Sequence, residues 1–377
     1  EDSVIIDGGI GMPNPVSLLA DDADFLISVD IKKELTPHKL DLNIYDILQR
    51  SEEVTHYKLS SDLAAKAHHV VRPKGMHYHW AEFNEMDSLV NKGKAAMEEN
   101  IQQLSNEGSA NTCGWFHPNN DSIVLFATTM TPIIDGDIPG YQRDKNNYRW
   151  AFPPKMNIST LNVDTKEFTP LVTNDEHYLA EGSWSPDSRH LVYCSLATGS
   201  GDIYITDLQT NTSRLIVGAD GYDGGPFFSP DGKRIVYRSD RRGNDLLQLF
   251  VAELKFDESG AIVGITNEFQ LTDNPHVNWG PFWHPNNRFV IYATSEISHR
   301  NYELYVCDAD TGNSDGTVRY GTRKRRITHE EGFDGLPAFD TSGKWLMWTS
   351  KRKTGTSQLW VAPFIFELDA APISEDY

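Results

Sequence analysis

Histidines and carboxylates crowded together in sequence are the first places to look for chemistry. The stretch His68-His69-Val-Val-Arg72-Pro-Lys-Gly75-Met-His77-Tyr78-His79-Trp80-Ala-Glu82 holds four histidines and a glutamate. In an extended segment His77 and His79 share a face, because strand side chains alternate. Neutral imidazoles are ligands for zinc, copper, iron or nickel. His68, His69, His77, His79 and Glu82 are therefore a candidate metal site, although their spacing matches no defined metal motif. The plainer reading is a set of loop histidines hydrogen-bonded to backbone.

A second candidate set is Asn111, Asp223, Asn278 and Asp334, amide or carboxylate residues that recur at one place in a repeated phrase. The corresponding residue of the remaining repeat is Leu179. Convergent oxygen ligands suit a hard cation such as Ca²⁺ or another divalent metal. They could equally hold ordered water, receive a cationic peptide, or simply cap the turn in which each stands. Motifs for covalent or phosphate chemistry in their required context are missing. The sequence has no His-Glu-x-x-His, no P-loop and no dinucleotide glycine fingerprint, and its one Gly-x-Ser-x-Gly match, Gly312–Gly316, is not flanked by the strand and helix of a nucleophile elbow.

The elements that must position these residues are repeats. One phrase reads Trp184-Ser-Pro186-Asp187-Ser188 followed by Leu191-Val-Tyr193-Cys-Ser195. Its counterparts are Phe228-Ser-Pro230-Asp231-Gly232 with Ile235-Val-Tyr237-Arg-Ser239, and Trp283-His-Pro285-Asn286-Asn287 with Val290-Ile-Tyr292-Ala-Thr294. Phe116-His-Pro118-Asn119-Asn120 with Ile123-Val-Leu-Phe126 is a fourth, and Phe339-Asp-Thr341-Ser342-Gly343 with Leu346-Met-Trp348-Thr-Ser350 a degenerate fifth. Each reads as strand, tight turn, strand. Pro presets φ, Asp bonds its own backbone and Gly accepts positive φ, while the β-branched and aromatic runs favour strands. His117 and His284 stand where other repeats have Ser and read as turn residues.

Third strands follow at Ile203–Asp207, Leu249–Glu253, Leu304–Asp308 and Leu359–Pro363. Weaker fourth strands end in steps such as Leu271-Thr272 and Ile327-Thr328. The anchors Pro118, Pro186, Pro230, Pro285 and Thr341 stand 68, 44, 55 and 56 residues apart. That is a propeller blade of about 40–50 residues plus loop insertions. Val16–Leu19, Phe25–Val29, Asn43–Ile47 and Val54-Thr55 fit one more, N-terminal blade. The expectation is an all-β chain, a single domain over 1–377, folded as a six-bladed β-propeller. A seventh blade has room in residues 60–110, and Ser3–Ile6 is placed to add an outer strand to the last blade.

Residues 61–110 break the rhythm and read as an insertion between the first two blades. Met86, Leu89, Val90, Met97, Ile101 and Leu104 form an apolar stripe at near-helical spacing, which predicts an amphipathic helix over 85–104. It would pack on the propeller or serve as a docking arm for another subunit.

The phrases resemble the PD40, or WD40-like, repeats of TolB-like propellers, strongly over about 110–365 and weakly over 1–60. Gly221-Tyr-Asp-Gly-Gly-Pro226 and Gly332-Phe-Asp-Gly-Leu-Pro337 are close to what such proteins carry. The resemblance implies the fold firmly. It also implies export to the periplasm or another extracytoplasmic space, and a non-catalytic role as a protein-binding module or scaffold subunit. Oligogalacturonate lyases share a similar propeller and use a histidine-held metal with a nearby basic residue. For that alternative, His276, His329 and Arg238 are the candidates here. A third alternative is a propeller holding a structural cation at its axis.

Composition limits the partners. The formal net charge is −20, which repels phosphate backbones and argues against nucleic acid. The one basic run, Arg323–Arg326, reads as a solvated strand edge. No apolar run is long enough for a transmembrane helix. Three cysteines, Cys113, Cys194 and Cys307, give no disulfide framework. Glu1 in place of Met is what removal of a leader or tag would leave.

Overall fold

The computed structural model describes residues 27–29, 58, 69–71, 103–133, 140–144, 147–310, 319–352 and 355–365. The chain divides into two compact units, Glu1–Gln103 and Leu104–Tyr377. In the first unit, Ile27–Val29 pairs in parallel with His69–Val71. This differs from the expected N-terminal blade, whose strands would pair antiparallel with sequence neighbours. The other strands expected there, and the helix expected over 85–104 as far as residue 102, lie outside the described residues. Gln103 and Leu104 themselves are not helical.

The second unit is an all-β propeller, and its described residues form five blades rather than six. Blade 1 consists of Ser109–His117, Asn120–Pro132, Asn157–Asn162 and Phe168–Val172, with the hairpin Gly140–Asp144 and Asn147–Ala151 inserted before its third strand. Blade 2 is Leu179–Trp184, His190–Ser195, Asp202–Asp207 and Thr212–Val217. Blade 3 is Asp223–Phe228, Arg234–Ser239, Gln248–Phe256 and Ile262–Gln270. Blade 4 is Asn278–Trp283, Phe289–Ser298, Asn301–Asp310 and Arg319–Arg326. Blade 5 has three strands, Asp334–Phe339, Trp345–Ser350 and Gln358–Pro363. Every blade is an antiparallel meander. The hydrophobic effect stacks blade on blade, since a sheet with apolar residues on both faces can bury them only between two others. Four clusters of buried residues lie between successive blades; Val192, Ile203, Phe228, Ile235 and Phe250, for example, join blades 2 and 3.

The turn after each first strand has the chemistry the sequence gives it. Ser229 donates through Oγ to Asp231 at 2.6 Å, Asp231 accepts from the Lys233 N–H at 3.1 Å, and Gly232 takes φ 70°. Blade 2 repeats this with Ser185, Asp187 and Ser188. His284 replaces the serine in blade 4. Its ring packs against Phe289 and Phe339 at 4.3 and 4.7 Å, and its Nε2 lies 3.1 Å from the Gly343 carbonyl.

Candidate functional site at the inner strands

The first strand of each blade carries a bulge at the same place. Two residues on it face one on the second strand: Cys113-Gly114 opposite Phe126, Glu181-Gly182 opposite Tyr193, Gly225-Pro226 opposite Tyr237, Gly280-Pro281 opposite Tyr292, and Leu336-Pro337 opposite Trp348. The leading bulge residue has positive φ in every blade: 56° at Cys113, 58° at Glu181, 59° at Gly225 and Gly280, and 53° at Leu336. Bulges re-aim side chains, and a left-handed residue other than glycine is held there by its surroundings. Sequence reading missed this feature. The signal available was the recurrent Gly-Pro or Gly before the Phe or Trp of each phrase.

Glu181 shows what the bulge achieves. Its carboxylate is 7% exposed as a residue and accepts four hydrogen bonds. Tyr222 donates its hydroxyl at 2.7 and 2.9 Å, the Gly225 N–H donates at 2.5 Å, and Arg238 donates through Nη2 at 2.7 Å. Arg238 also donates to the Tyr222 hydroxyl at 3.0 Å and lies over its ring. Burial works against the Arg238 charge, but Glu181 and Tyr222 hold it protonated well above the ordinary arginine range. Burial pushes Tyr222 up as well. The glycines make room. A Cβ on Gly225 would stand 2.6 Å from Arg238 Nη1, and one on Gly224 would meet both the Tyr222 hydroxyl and Glu181 Oε2. Cys113, at the equivalent bulge of blade 1, has its thiol lifted to about 11 by burial and by the Glu181 charge.

Beyond the bulge, side chains meet across the axis. Trp115 of blade 1 touches Phe227 of blade 3 at 5.1 Å and Phe282 of blade 4 at 6.0 Å, and the two phenylalanines are 6.0 Å apart. Blades that are not neighbours can touch only through the centre, so these rings fill the inner end of the channel.

The amide and carboxylate positions aligned from the repeats are equivalent in register. Asn111, Leu179, Asp223, Asn278 and Asp334 each pair with the Thr or Ser that ends the core of the second strand: Thr128, Ser195, Ser239, Thr294 and Ser350. Each polar member is engaged within its own blade, by the loop beside it or by the neighbouring blade. Asp223 is fully buried, accepts from the Ala219 N–H at 3.0 Å and has Arg241 at 3.6 Å. Burial lifts its carboxyl above the usual range against the pull of Ser239, Ala219 and Arg241. Asp334 accepts from Arg352. Asn278 donates to Gln248 and Asn274, and the exposed Asn111 donates to Ser109. The carboxylates thus carry arginine counterions already.

Of the histidine set, His69 begins the short strand His69–Val71, and His68, His77, His79 and Glu82 lie outside the described residues. Among the described residues no three His, Cys, Asp or Glu side chains converge as a metal group. Arg238, the candidate base for lyase chemistry, is held by Glu181 and Tyr222. His276 lies in the loop before blade 4, where its N–H donates to Asn274, and His329 is exposed before blade 5. The structure does not bring them to Arg238 as that reading requires.

Residues 153–266 match the family model PD40, described as the TolB β-propeller domain. Over those residues the propeller is similar to the PD40 repeats of TolB-like proteins. Among curated relatives, dipeptidyl-peptidase 5 of Porphyromonas gingivalis is 44% identical over 85 residues, covering 19% of this chain and 12% of that protein. Tol-Pal system protein TolB of Francisella tularensis subsp. mediasiatica is 33% identical over 76 residues, covering 20% of this chain and 18% of that protein. The matched segment therefore spans under a fifth of either relative. Among solved structures, TolB from Acinetobacter baumannii superposes with a TM-score of 0.49 at 16% identity, covering 69% of this chain and 53% of that one.

Proposed function

We propose that this PD40 propeller is a non-catalytic protein-binding module, a scaffold subunit of an extracytoplasmic complex. The observation that supports this most is the state of its inner strands. Their charged groups are neutralised inside the molecule, Glu181 by Arg238, Asp223 by Arg241 and Asp334 by Arg352, and three aromatic rings occupy the channel end. Charges paired in this way hold the ring together and leave recognition to the loops and blade edges. The relative named as a Tol-Pal system protein fits a role beside other proteins. No helix among the described residues is long and apolar enough to cross a membrane. A sixth blade and a helical insertion at 61–110, expected from repeat spacing, belong to the same reading and would come from residues before 104.

A cross-linking experiment tests it. The purified protein, carrying a photoreactive group at loop positions such as Asp220 or Asp273, is mixed with a periplasmic extract. Adducts are identified by mass spectrometry and then rebuilt from purified components. A defined partner that binds with a micromolar or better dissociation constant supports the reading. Turnover of dipeptidyl anilides or oligogalacturonate by the same preparation would overturn it.

A further inference from the structure

Blade 2 buries a histidine where the other blades have different residues. His190 opens the second strand and lies opposite Asp207, the last residue of the third. The same register holds Arg234 opposite Glu253 in blade 3 and Phe289 opposite Asp308 in blade 4. His190 is 2% exposed, and its Nε2 is buried with no hydrogen-bond partner among the described residues. Asp207 Oδ2 stands 3.9 Å away, beyond hydrogen-bond reach. That oxygen is already taken, since Arg189 donates to it through Nε at 3.2 Å and through Nη2 at 2.7 Å. The remaining nitrogen of Arg189, Nη1, donates at 2.7 Å to the carbonyl of Ser259, in the turn that joins the third and fourth strands of blade 3.

Arg189 is thus a strap between two blades, and Asp207 sets its angle. The fit is close, because a Cβ on Gly260 would stand 2.9 Å from Arg189 Nη1. The strap acts at the hairpin tip; nearer the core, Leu254 and Ile262 of the same hairpin pack with Ile216 and Val217 of blade 2. The charges acting on the His190 ring are Asp207 and Asp187, which favour its protonation, and Arg189, which opposes it. Asp187 is itself held by the Ser185 hydroxyl and the Arg189 N–H. From blade 3, Asp257 acts on Arg189, and from blade 1 the His117 ring packs on Trp184 at the start of the same turn. Burial prevails over the two carboxylates and pulls His190 below the ordinary histidine range. A neutral ring is stable where it is. A protonated ring needs a bonded anion, because a buried cation left unpaired is costly. Imidazolium and guanidinium then compete for one oxygen. Arg189, with its side chain 16% exposed against 2% for His190, is the partner that can turn to water.

We propose that His190 is an acid-operated latch: its protonation draws Asp207 away from Arg189, and the tip of the blade 3 hairpin at residues 257–261 comes free of blade 2. The direction of the effect follows from linkage. The closed latch keeps the ring neutral more strongly than the open one does. Opening therefore grows as pH falls from the ordinary histidine value toward the lower closed-state value, and levels off beneath it. Above the ordinary value the latch stays shut.

Hydrogen exchange of the whole protein, read by mass spectrometry and corrected for the intrinsic effect of pH, tests this. The amides of Asp257 and Gly260 close the turn that the strap holds, bonding to the Ala261 and Asp257 carbonyls at 3.0 Å. Their protection should fall about tenfold between about pH 7.5 and pH 5. His190→Phe, which installs the residue that blade 4 has at this position, should remove the pH dependence while keeping the turn protected. Arg189→Gln should leave the turn poorly protected at both pH values, and His117→Gln should keep the wild-type response. The His190 imidazole, followed by nuclear magnetic resonance in the wild type, should titrate below the ordinary histidine range and above about pH 4. A ring that stays neutral down to that pH in the folded protein would overturn the proposal without any variant. So would a pH response that persists in His190→Phe or disappears in His117→Gln.

Discussion

Arg238, on the second strand of blade 3, donates to Glu181, in the bulge of blade 2, at 2.7 Å. The bond crosses an interblade boundary, and both groups are largely desolvated, with side chains 15% and 6% exposed. Removing one partner of such a pair strands the other charge, which costs about 3–5 kcal/mol, whereas replacing both is far milder. Glu181→Gln and Arg238→Met should each lower stability by that order in urea denaturation. The double variant should lose less than the sum, giving a coupling energy above about 1 kcal/mol. Additive losses would show that the pair does not join the blades.

Gly225 supplies the N–H that Glu181 accepts, at φ 59°, with Arg238 Nη1 2.6 Å from where a Cβ would stand. Gly225→Ala therefore meets both a left-handed backbone and a steric clash, and a loss of about 2–3 kcal/mol is expected. Gly243, also at positive φ but with open space around it, is the control. Gly243→Ala should lose only about 1 kcal/mol. Equal losses at the two positions would mean that the packing of Arg238 plays no part.

Blade architecture was legible because each phrase carries its own turn chemistry and strand periodicity, as Ser229-Pro230-Asp231-Gly232 shows. Even the equivalence of Asp223, Asn278 and Asp334 could be aligned, since register follows from the turn. What could not be read was the direction of each side chain after alignment. Strict alternation fails at the bulge, so Glu181, which looks like an ordinary strand residue, becomes the centre of a network. The described residues form five blades, and the sixth expected before residue 104 rests on repeats that carry no Pro-Asp anchor. Arg238 drew attention as a candidate base, but its type alone could not reveal that Glu181 and Tyr222 already hold it.

The cysteines should be poor nucleophiles. Cys194 and Cys307 are buried, and burial raises both thiols; Cys113 is partly exposed, with its thiol at about 11. At pH 8 only about one Cys113 in a thousand is thiolate. Folded protein treated with iodoacetamide at that pH should label Cys113 slowly and the other two only after unfolding, as read by intact mass. Rapid labelling of Cys113 would require a cationic neighbour stronger than Arg238 paired with Glu181.

Glu268 offers a test by pH. Burial opposes its charge, but hydrogen bonds from Arg241 and Tyr237 and the Arg241 charge outweigh it, so its carboxyl titrates below the ordinary 4.5. The folded state thus takes up this proton less readily than the unfolded chain. The stabilisation is present above the unfolded value and is lost as pH falls through the lower folded value. Its side chain is 27% exposed, which trims the benefit to about 1–2 kcal/mol. Wild type should exceed Glu268→Gln by that amount at pH 7, and the difference should close as pH falls below the ordinary carboxylate range. A pH-independent gap for Glu268→Gln would assign its effect to shape rather than charge.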